Sequence, residues 1–498
     1  MKKLLLTFLF LSVFVELSSS QTIKFSEEIK ENKNARYMRV LGSDEEGNIY
    51  VLRSNISLET DRDRSGFKSR VYFLQYLSND LKLLWEKELL TSFEDGHIAD
   101  VQMNNGRVVV VGFLNNRKEK TFTFYIQALD NRGNWVNKPK EVDQFIANDI
   151  DEDDKPGIIN SQDELSIAFS YRKVSTDKNF QGYQVLVMDT SFNVRYKKQI
   201  DIEASVNTYI PVSFLLSNQA SFFVLGIHYT TEKRIKTQGQ AFYELYGFNS
   251  KTNQVLHSEI KSETKFLTDV GFTIDNVNKR VIAAGFYSDK TTYSVAGVFY
   301  NAFSEDSLIQ LSSQNSAFPE SYMQKFIGER KDGRSKELVN YTIDRLIVRR
   351  DGGVAILAES FNRAERSYWD YYMQTYVYHY YYHYGNVMIL SINPSGDILW
   401  NNVVSKDQNS IDDAGYSSSY ISSIVSGKII SLYNKYIDDD SSVLMTTVDG
   451  IGAQKTDVLF NENEKVVIIP KSAKQIDEDT ILLPAYKQNR FFILKVTL

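Results

Sequence analysis

Gly106 to Gly112 reads GRVVVVG: a turn former, one cation, four consecutive valines and a second glycine. β-Branched side chains are stiff at χ1 and pack well on a pleated surface, so a run like this, bounded by glycine, reads as a buried strand. The same phrase returns along the chain. It stands as Gly47–Leu52 (GNIYVL), Glu164–Phe169 (ELSIAF), Ser221–Leu225 (SFFVL) and Arg280–Ala284 (RVIAA), then as Gly353–Leu357 (GVAIL), Gly427–Leu432 (GKIISL) and Thr480–Leu483 (TILL). Eight such runs at a mean spacing of about 62 residues fit a repeat architecture whose units carry loop insertions.

Each run is followed by a second strand and a hairpin. Phe122–Leu129 leads into Asp130-Asn131-Arg132-Gly133, and Val387–Ile392 into Asn393-Pro394-Ser395-Gly396-Asp397. Val185–Met188 precedes Asp189, and Val443–Val448 precedes Asp449-Gly450. Asp, Asn and Gly supply the turn geometry at these points. A further strand leaves each hairpin, led at several places by a large apolar residue such as Trp85, Trp135 or Trp400. With one strand before each run, the unit is a four-stranded blade. The chain is therefore expected to be all-β: a single β-propeller of eight four-stranded blades over residues 21–498. No stretch of ten residues in these units carries a strong 3.6-residue apolar period, and one short helix is expected within residues 320–338. The last residues, Phe491–Leu498 (FFILKVTL), form a strand with nothing after it, and Thr22–Phe25 (TIKF) forms one with no blade of its own. Pairing the two would close the ring and remove both edges.

The first twenty residues read as a cleaved signal peptide. Lys2 and Lys3 precede the apolar stretch Leu4–Val15, and Ser18 and Ser20 put small side chains before Gln21. The apolar stretch is short for a membrane span, and no later segment reaches eighteen apolar residues, so no direct membrane insertion is expected. The chain has no cysteine, which removes disulfides, thiolate metal sites, a thiol nucleophile and a lipidated N-terminal cysteine. Its formal net charge is −6, or −7 once Lys2, Lys3 and Glu16 leave with the leader (55 basic against 62 acidic residues). That balance gives no electrostatic reason to bind nucleic acid. The 31 Tyr and 30 Phe against only 7 Pro lean the composition further toward sheet.

Insertions concentrate on one face of the expected propeller. Residues 54–70, 230–240 and 362–385 are connections between the second and third strands of their blades, and residues 314–340 connect two blades. Function tends to sit on loops held by a rigid scaffold. The segment Ser367–Tyr384 (SYWDYYMQTYVYHYYYHY) holds nine tyrosines, one tryptophan and two histidines. Tyr368, Trp369, Tyr371, Tyr372, Tyr376, Tyr378, Tyr380, Tyr381, Tyr382 and Tyr384 are the expected contact residues for a protein partner, since rigid amphipathic aromatics are enriched at interfaces. The alternatives are an extended hairpin packed on the propeller rim, or a platform on which sugars stack.

Metal chemistry has few candidates. His379 and His383 stand four residues apart, with Asp370 a distant third ligand, and a bland pair of polar aromatics is the simpler reading. For calcium, Asp149, Asp151 and Asp153 alternate like the start of an EF-hand, but Asp154 replaces the required glycine. Asp61 and Asp63 begin a second such loop, which Tyr72 closes in place of a carboxylate. Solvated loops are the expectation at both, and no cofactor is expected. There is no nucleophile elbow, Walker loop, dinucleotide fingerprint or HExxH helix. Glu359, closing the apolar run GGVAILAES, is either a catalytic carboxylate or an edge residue held by a salt bridge or backbone hydrogen bonds, and the second is preferred.

The C-terminal third resembles a family of exported Bacteroidota proteins. The matching residues are Asp351-Gly352-Gly353, then Ala358-Glu359, a tyrosine-rich stretch, a strand like Asn386–Ile392, Gly396-Asp397-Ile398-Leu399-Trp400, and Lys406 with Gln408. The resemblance implies an exported propeller-like protein working at the outer membrane, for instance as a periplasmic accessory or plug of the type IX secretion translocon. It implies no activity. The expected function is thus a non-catalytic interaction protein whose partner is an outer-membrane protein or complex, with a carbohydrate-binding or carbohydrate-active propeller as the alternative.

Overall fold

The computed structural model describes residues 21–30, 35–55, 70–116, 118–146, 157–174, 181–234, 239–260, 262, 265–289, 294–327, 337–437, 441–488 and 490–498. These fold into eight antiparallel sheets of four or five strands, in chain order, plus a ribbon pairing Ser294–Val295 with Leu338–Val339. The all-β expectation is met, with sheets of consecutive antiparallel strands as in propeller blades. Each run singled out above is the second strand of a sheet: Arg107–Asn116, for example, lies between His97–Asn104 and Thr121–Leu129. Second strands are buried on both faces because neighbouring sheets cover them, as in Phe222–Tyr229, whereas an outer strand such as Leu83–Glu88 is largely exposed. Between neighbouring sheets the cover is apolar. Phe223 and Leu225 of the fourth sheet share a cluster with Val281, Ala283 and Phe299 of the fifth.

The hairpin turns carry the geometry their residues suggest. The Asp130 side chain accepts from the backbone N–H of Arg132 (3.0 Å) and Asn134 (2.7 Å), and Asp189, Asn393 and Asp449 repeat the pattern. At two turns a glycine also answers to a neighbour. Gly133 (φ +71°) and Gly452 (φ +87°) are left-handed, and a Cβ there would come within 2.9 Å of Trp85 and 2.8 Å of Trp400. Those indoles donate to the carbonyls of Asn131 (2.9 Å) and Gly450 (3.0 Å) in the next sheet. One device therefore joins the first sheet to the second and the sixth to the seventh.

Hydrogen bonds also pass from sheet to sheet along the inner strands. Arg39 donates to the Val101 carbonyl (2.9 Å), Gln102 to Ile158 (3.2 Å), and the Asp163 N–H to the Asn218 side chain (3.1 Å). The Asn218 N–H donates to the Asn276 side chain (3.0 Å), and the Ile343 N–H to Asp269 (2.7 Å). Arg345 then donates to Ser422 (3.0 Å), Gln475 to Ile424 (2.9 Å), and Lys474 of the eighth sheet to Leu41 of the first (2.5 Å). The two ends of the chain meet as well. Thr22–Phe25 pairs antiparallel with Arg490–Thr497 and forms the outer strand of the eighth sheet.

The insertions need adjustment. Residues 314–317 belong to an outer strand, Gln310–Ala317, so the connection entering the sixth sheet starts only after Ala317. That strand (QLSSQNSA) has no apolar alternation to announce it, because it lies at a solvated sheet edge. The expected helix is Glu320–Ile327. The candidate calcium ligands Asp61, Asp63, Asp149, Asp151 and Asp153, the leader, and most of the 54–70 insertion lie outside the described residues.

Candidate functional site

The tyrosine-rich segment is a continuation of its sheet. The second and third strands of the sixth sheet run Val354–Asp370 and Thr375–Ile392 and stay paired to the tip, Asp370 facing Thr375. The tyrosines and Val377 of the returning strand have high β-propensity and favour this extended ribbon. At the tip, the Asp370 carboxylate accepts from the backbone N–H of Tyr372 (2.8 Å) and Met373 (2.9 Å), and Gln374 takes the left-handed residue of the turn. From Phe361 to Asp370 the arm is about 30 Å long at the usual rise per residue.

Cross-strand register assigns the aromatics to two faces. Trp369, Tyr376, Tyr378, Tyr380, Tyr382 and Tyr384 share one; Tyr368, Tyr381, His379 and His383 share the other. Adjacent rings touch: Trp369 meets Tyr376 edge-on (5.1 Å between centroids), and Tyr368 stacks on His379 (5.6 Å). Arg363 lies over Tyr380 (5.3 Å) and Arg366 over Tyr381 (4.9 Å). The outer half is open to solvent: Tyr371 is 79% and Tyr372 100% exposed, and Tyr368, Trp369, Tyr376 and Tyr378 are also exposed. Tyr380, Tyr381 and Tyr382 are half-buried.

The inner half is fastened. A short strand, Gln408–Ile411, pairs with Tyr381–Tyr384 and covers the returning edge. Tyr384 is buried: its ring packs on Phe361 (4.6 Å), a Cβ on the left-handed Gly415 would meet it, and its hydroxyl accepts from Lys471 (2.7 Å). Tyr384 therefore anchors the hairpin and offers no surface to a partner. The two histidines find separate carboxylates. His379 Nδ1 lies 2.6 Å from Asp412 and His383 Nε2 2.8 Å from Asp407. Asp412, which also accepts the Tyr380 N–H, is held below the usual carboxylate range by that bond first and by His379 second. Four residues along a strand separate the histidines by about 13 Å, too far to share one ion. Asp370, engaged in the tip turn, is remote from both.

Beneath the hairpin lies a buried polar network. Glu359 forms an ion pair with Lys406 (2.5 Å), both side chains almost fully buried, and accepts from the Ser419 hydroxyl (2.6 Å). Burial pushes the Lys406 ammonium down, against the pull of Glu359. Lys406 also donates to Gln408 (3.1 Å), which accepts from the Ser419 N–H and donates to the Asn434 carbonyl, and the Asn434 side chain brackets Ile468 in the eighth sheet. Of the two ways of holding Glu359 left open above, a salt bridge or backbone hydrogen bonds, the structure shows the salt bridge. Lys406, carried by the family resemblance, proves to be the partner of Glu359, and Gln408 accepts from Lys406 in turn. Asp407, Asp412 and Lys471 escaped sequence reasoning, since nothing local marks them as partners of residues 24 to 87 positions away.

No family model and no curated relative matches the sequence. Solved structures do. The WD40 domain of SCAP from fission yeast is 9% identical with a TM-score of 0.41, covering 96% of this chain and 98% of that one. The β-propeller domain of the trilobed protease from Pyrococcus furiosus is 11% identical with a TM-score of 0.37, over 82% and 94%. The acylaminoacyl peptidase of Pyrococcus horikoshii is 11% identical with a TM-score of 0.37, over 81% of this chain and 52% of that one. The likeness is one of fold. It transfers no ligand, partner or reaction.

Proposed function

We propose that this chain is an exported, non-catalytic interaction protein, built as a closed ring of eight blades, whose tyrosine-rich hairpin is its contact surface. The observation that carries the reading is the division of that hairpin. Its inner half is fastened by Gln408–Ile411 and Tyr384, while its outer half displays Tyr368, Trp369, Tyr371, Tyr372, Tyr376 and Tyr378. Rigid aromatics bind with little loss of conformational entropy, and exposed clusters of them mark binding surfaces. Closure is supported by the pairing of the terminal strands and by the bond from the eighth sheet to the first. The leader and the family resemblance support a partner at the outer membrane of a Bacteroidota-type cell: a membrane protein or complex such as a secretion translocon, met from the periplasm. The flat faces of Trp369 and Tyr376 favour the second reading, a sugar-stacking platform.

Purification from detergent-solubilised native envelopes separates the two. Recovery with an outer-membrane protein supports the first reading. Recovery alone, with retention on a polysaccharide column, supports the second and overturns the first.

A further inference from the structure

A second feature lies among the inner strands, where Lys471 also reaches Tyr384 at the base of the hairpin. A cavity of about 650 Å³ opens between the sixth, seventh and eighth sheets, lined among others by Asp344, Arg345, Tyr420, Ser422, Lys471 and Lys474. Its volume falls in the range of ordinary small-ligand sites, roughly 300–1,000 Å³. The strand Tyr341–Val348 bulges between Ile343 and Arg345, so Asp344 is the extra residue, and bulges commonly re-aim side chains at functional sites. Asp344 accepts from the buried Tyr420 hydroxyl (2.9 Å). Protein crowds this carboxyl although it borders the water of the cavity, and burial together with the nearby charge of Glu359 pushes it up to about 7.

The charges around the cavity are unbalanced. Asp344 is the one carboxylate among its lining residues, against three cations. Arg345 donates to the Ser422 carbonyl and Lys474 to the Leu41 carbonyl, and among the described residues neither has an ion-pair partner. Glu359, whose charge reaches Asp344, is committed to Lys406, and Glu164 is the carboxylate whose charge reaches Lys474. In a chain of net charge −6, a cavity with this excess of cations attracts anions. Arg345 can take a carboxylate through two parallel N–H donors. Asp344 would repel a second anionic group but can accept a hydroxyl.

We propose that this cavity binds a small hydroxycarboxylate of the sugar-acid class, its carboxylate held by Arg345 and Lys474 and one hydroxyl donated to Asp344. The proposal does not depend on the hairpin's role. A free sugar acid and the end of a uronate polymer share this chemistry.

Isothermal titration of the full mature protein tests it, with sodium glucuronate, a short oligouronate, glucose and inorganic phosphate as probes. Glucuronate is expected to bind at least about tenfold more tightly than glucose or phosphate. Tighter binding of the oligouronate would assign a polymer end, and equal binding the free acid; both support the site. Combining Arg345→Met with Lys474→Met should weaken glucuronate at least about tenfold, and Asp344→Asn should narrow its lead over phosphate. Because Arg345→Met and Lys474→Met each also remove a bond between sheets, the wild-type protein supplies an independent readout: affinity must fall as sodium chloride rises. Glucuronate binding no tighter than glucose, phosphate binding as tight as glucuronate, or indifference to salt would each overturn the proposal.

Discussion

Lys406 shows how much a single side chain holds in this fold. Its ammonium is fully buried beside Glu359, so neither charge is screened by water. Lys406→Met leaves the carboxylate buried without its counter-charge, and the expected loss is about 3–5 kcal/mol in urea denaturation. Adding Glu359→Leu to that variant should recover much of the loss, because a buried pair removed together costs far less than one partner removed alone. A second trio responds to pH. The buried Glu244 carboxylate accepts from His228 Nδ1 (3.0 Å) and His257 Nε2 (3.2 Å). Burial pushes Glu244 up, but the two histidine bonds outweigh it and bring it down to about 2, while the bond to Glu244 raises His257 above 6.5. The Glu244 contribution is present above pH 4.5 and fades as pH falls toward 2; that of His257 is present below pH 6.5 and fades as pH rises through its folded value. The trio stabilises most between these limits. Glu244→Gln should flatten the dependence of denaturation midpoint on pH, and an unchanged profile would remove the trio from the account. None of these partnerships was legible in sequence, because each joins residues from separate elements of a sheet.

At the scale of elements the sequence speaks more clearly. All eight second strands were marked by apolar runs after turn residues, because a strand covered on both faces cannot tolerate interruption. Outer strands such as Gln310–Ala317 left no such mark, since a half-solvated edge accepts polar residues at either face. The hairpin was visible as composition, but its division was not: Tyr384 is an anchor only because Lys471, Phe361 and Gly415 converge on it. Arg366 and His379 face each other across the ribbon, so an Asn-Gly turn between them can replace Ser367–Tyr378 without disturbing the register. The shortened protein keeps Tyr384, both carboxylate–histidine contacts and the covering strand. Its melting temperature should stay within a few degrees of the parent, because exposed rings add little to the folded state. Tyr384→Ala, by contrast, should cost about 3 kcal/mol or more, as expected for a buried aromatic.

Over the whole molecule the ends matter most. Lys24 and Lys495 stand directly opposite each other in the pairing of the terminal strands. Opposite Cβ atoms in an antiparallel pair lie about 4.5–5.5 Å apart, near disulfide reach. The chain has no other cysteine, so Lys24→Cys with Lys495→Cys should form one intramolecular bridge, seen as faster migration without reductant and a raised melting temperature. Failure to bridge under oxidation would separate the ends. A scaffold tied in this way can present a projecting ribbon whose removal leaves the rest standing, and that separation of scaffold from contact surface is the central claim. Its most direct test is partner recovery from native envelopes by the variant lacking Ser367–Tyr378, measured beside its thermal unfolding. The expected result is a near-parental melting temperature with recovery lost. A folded variant that still recovers the partner, or one that unfolds while its residual folded fraction binds, would contradict it.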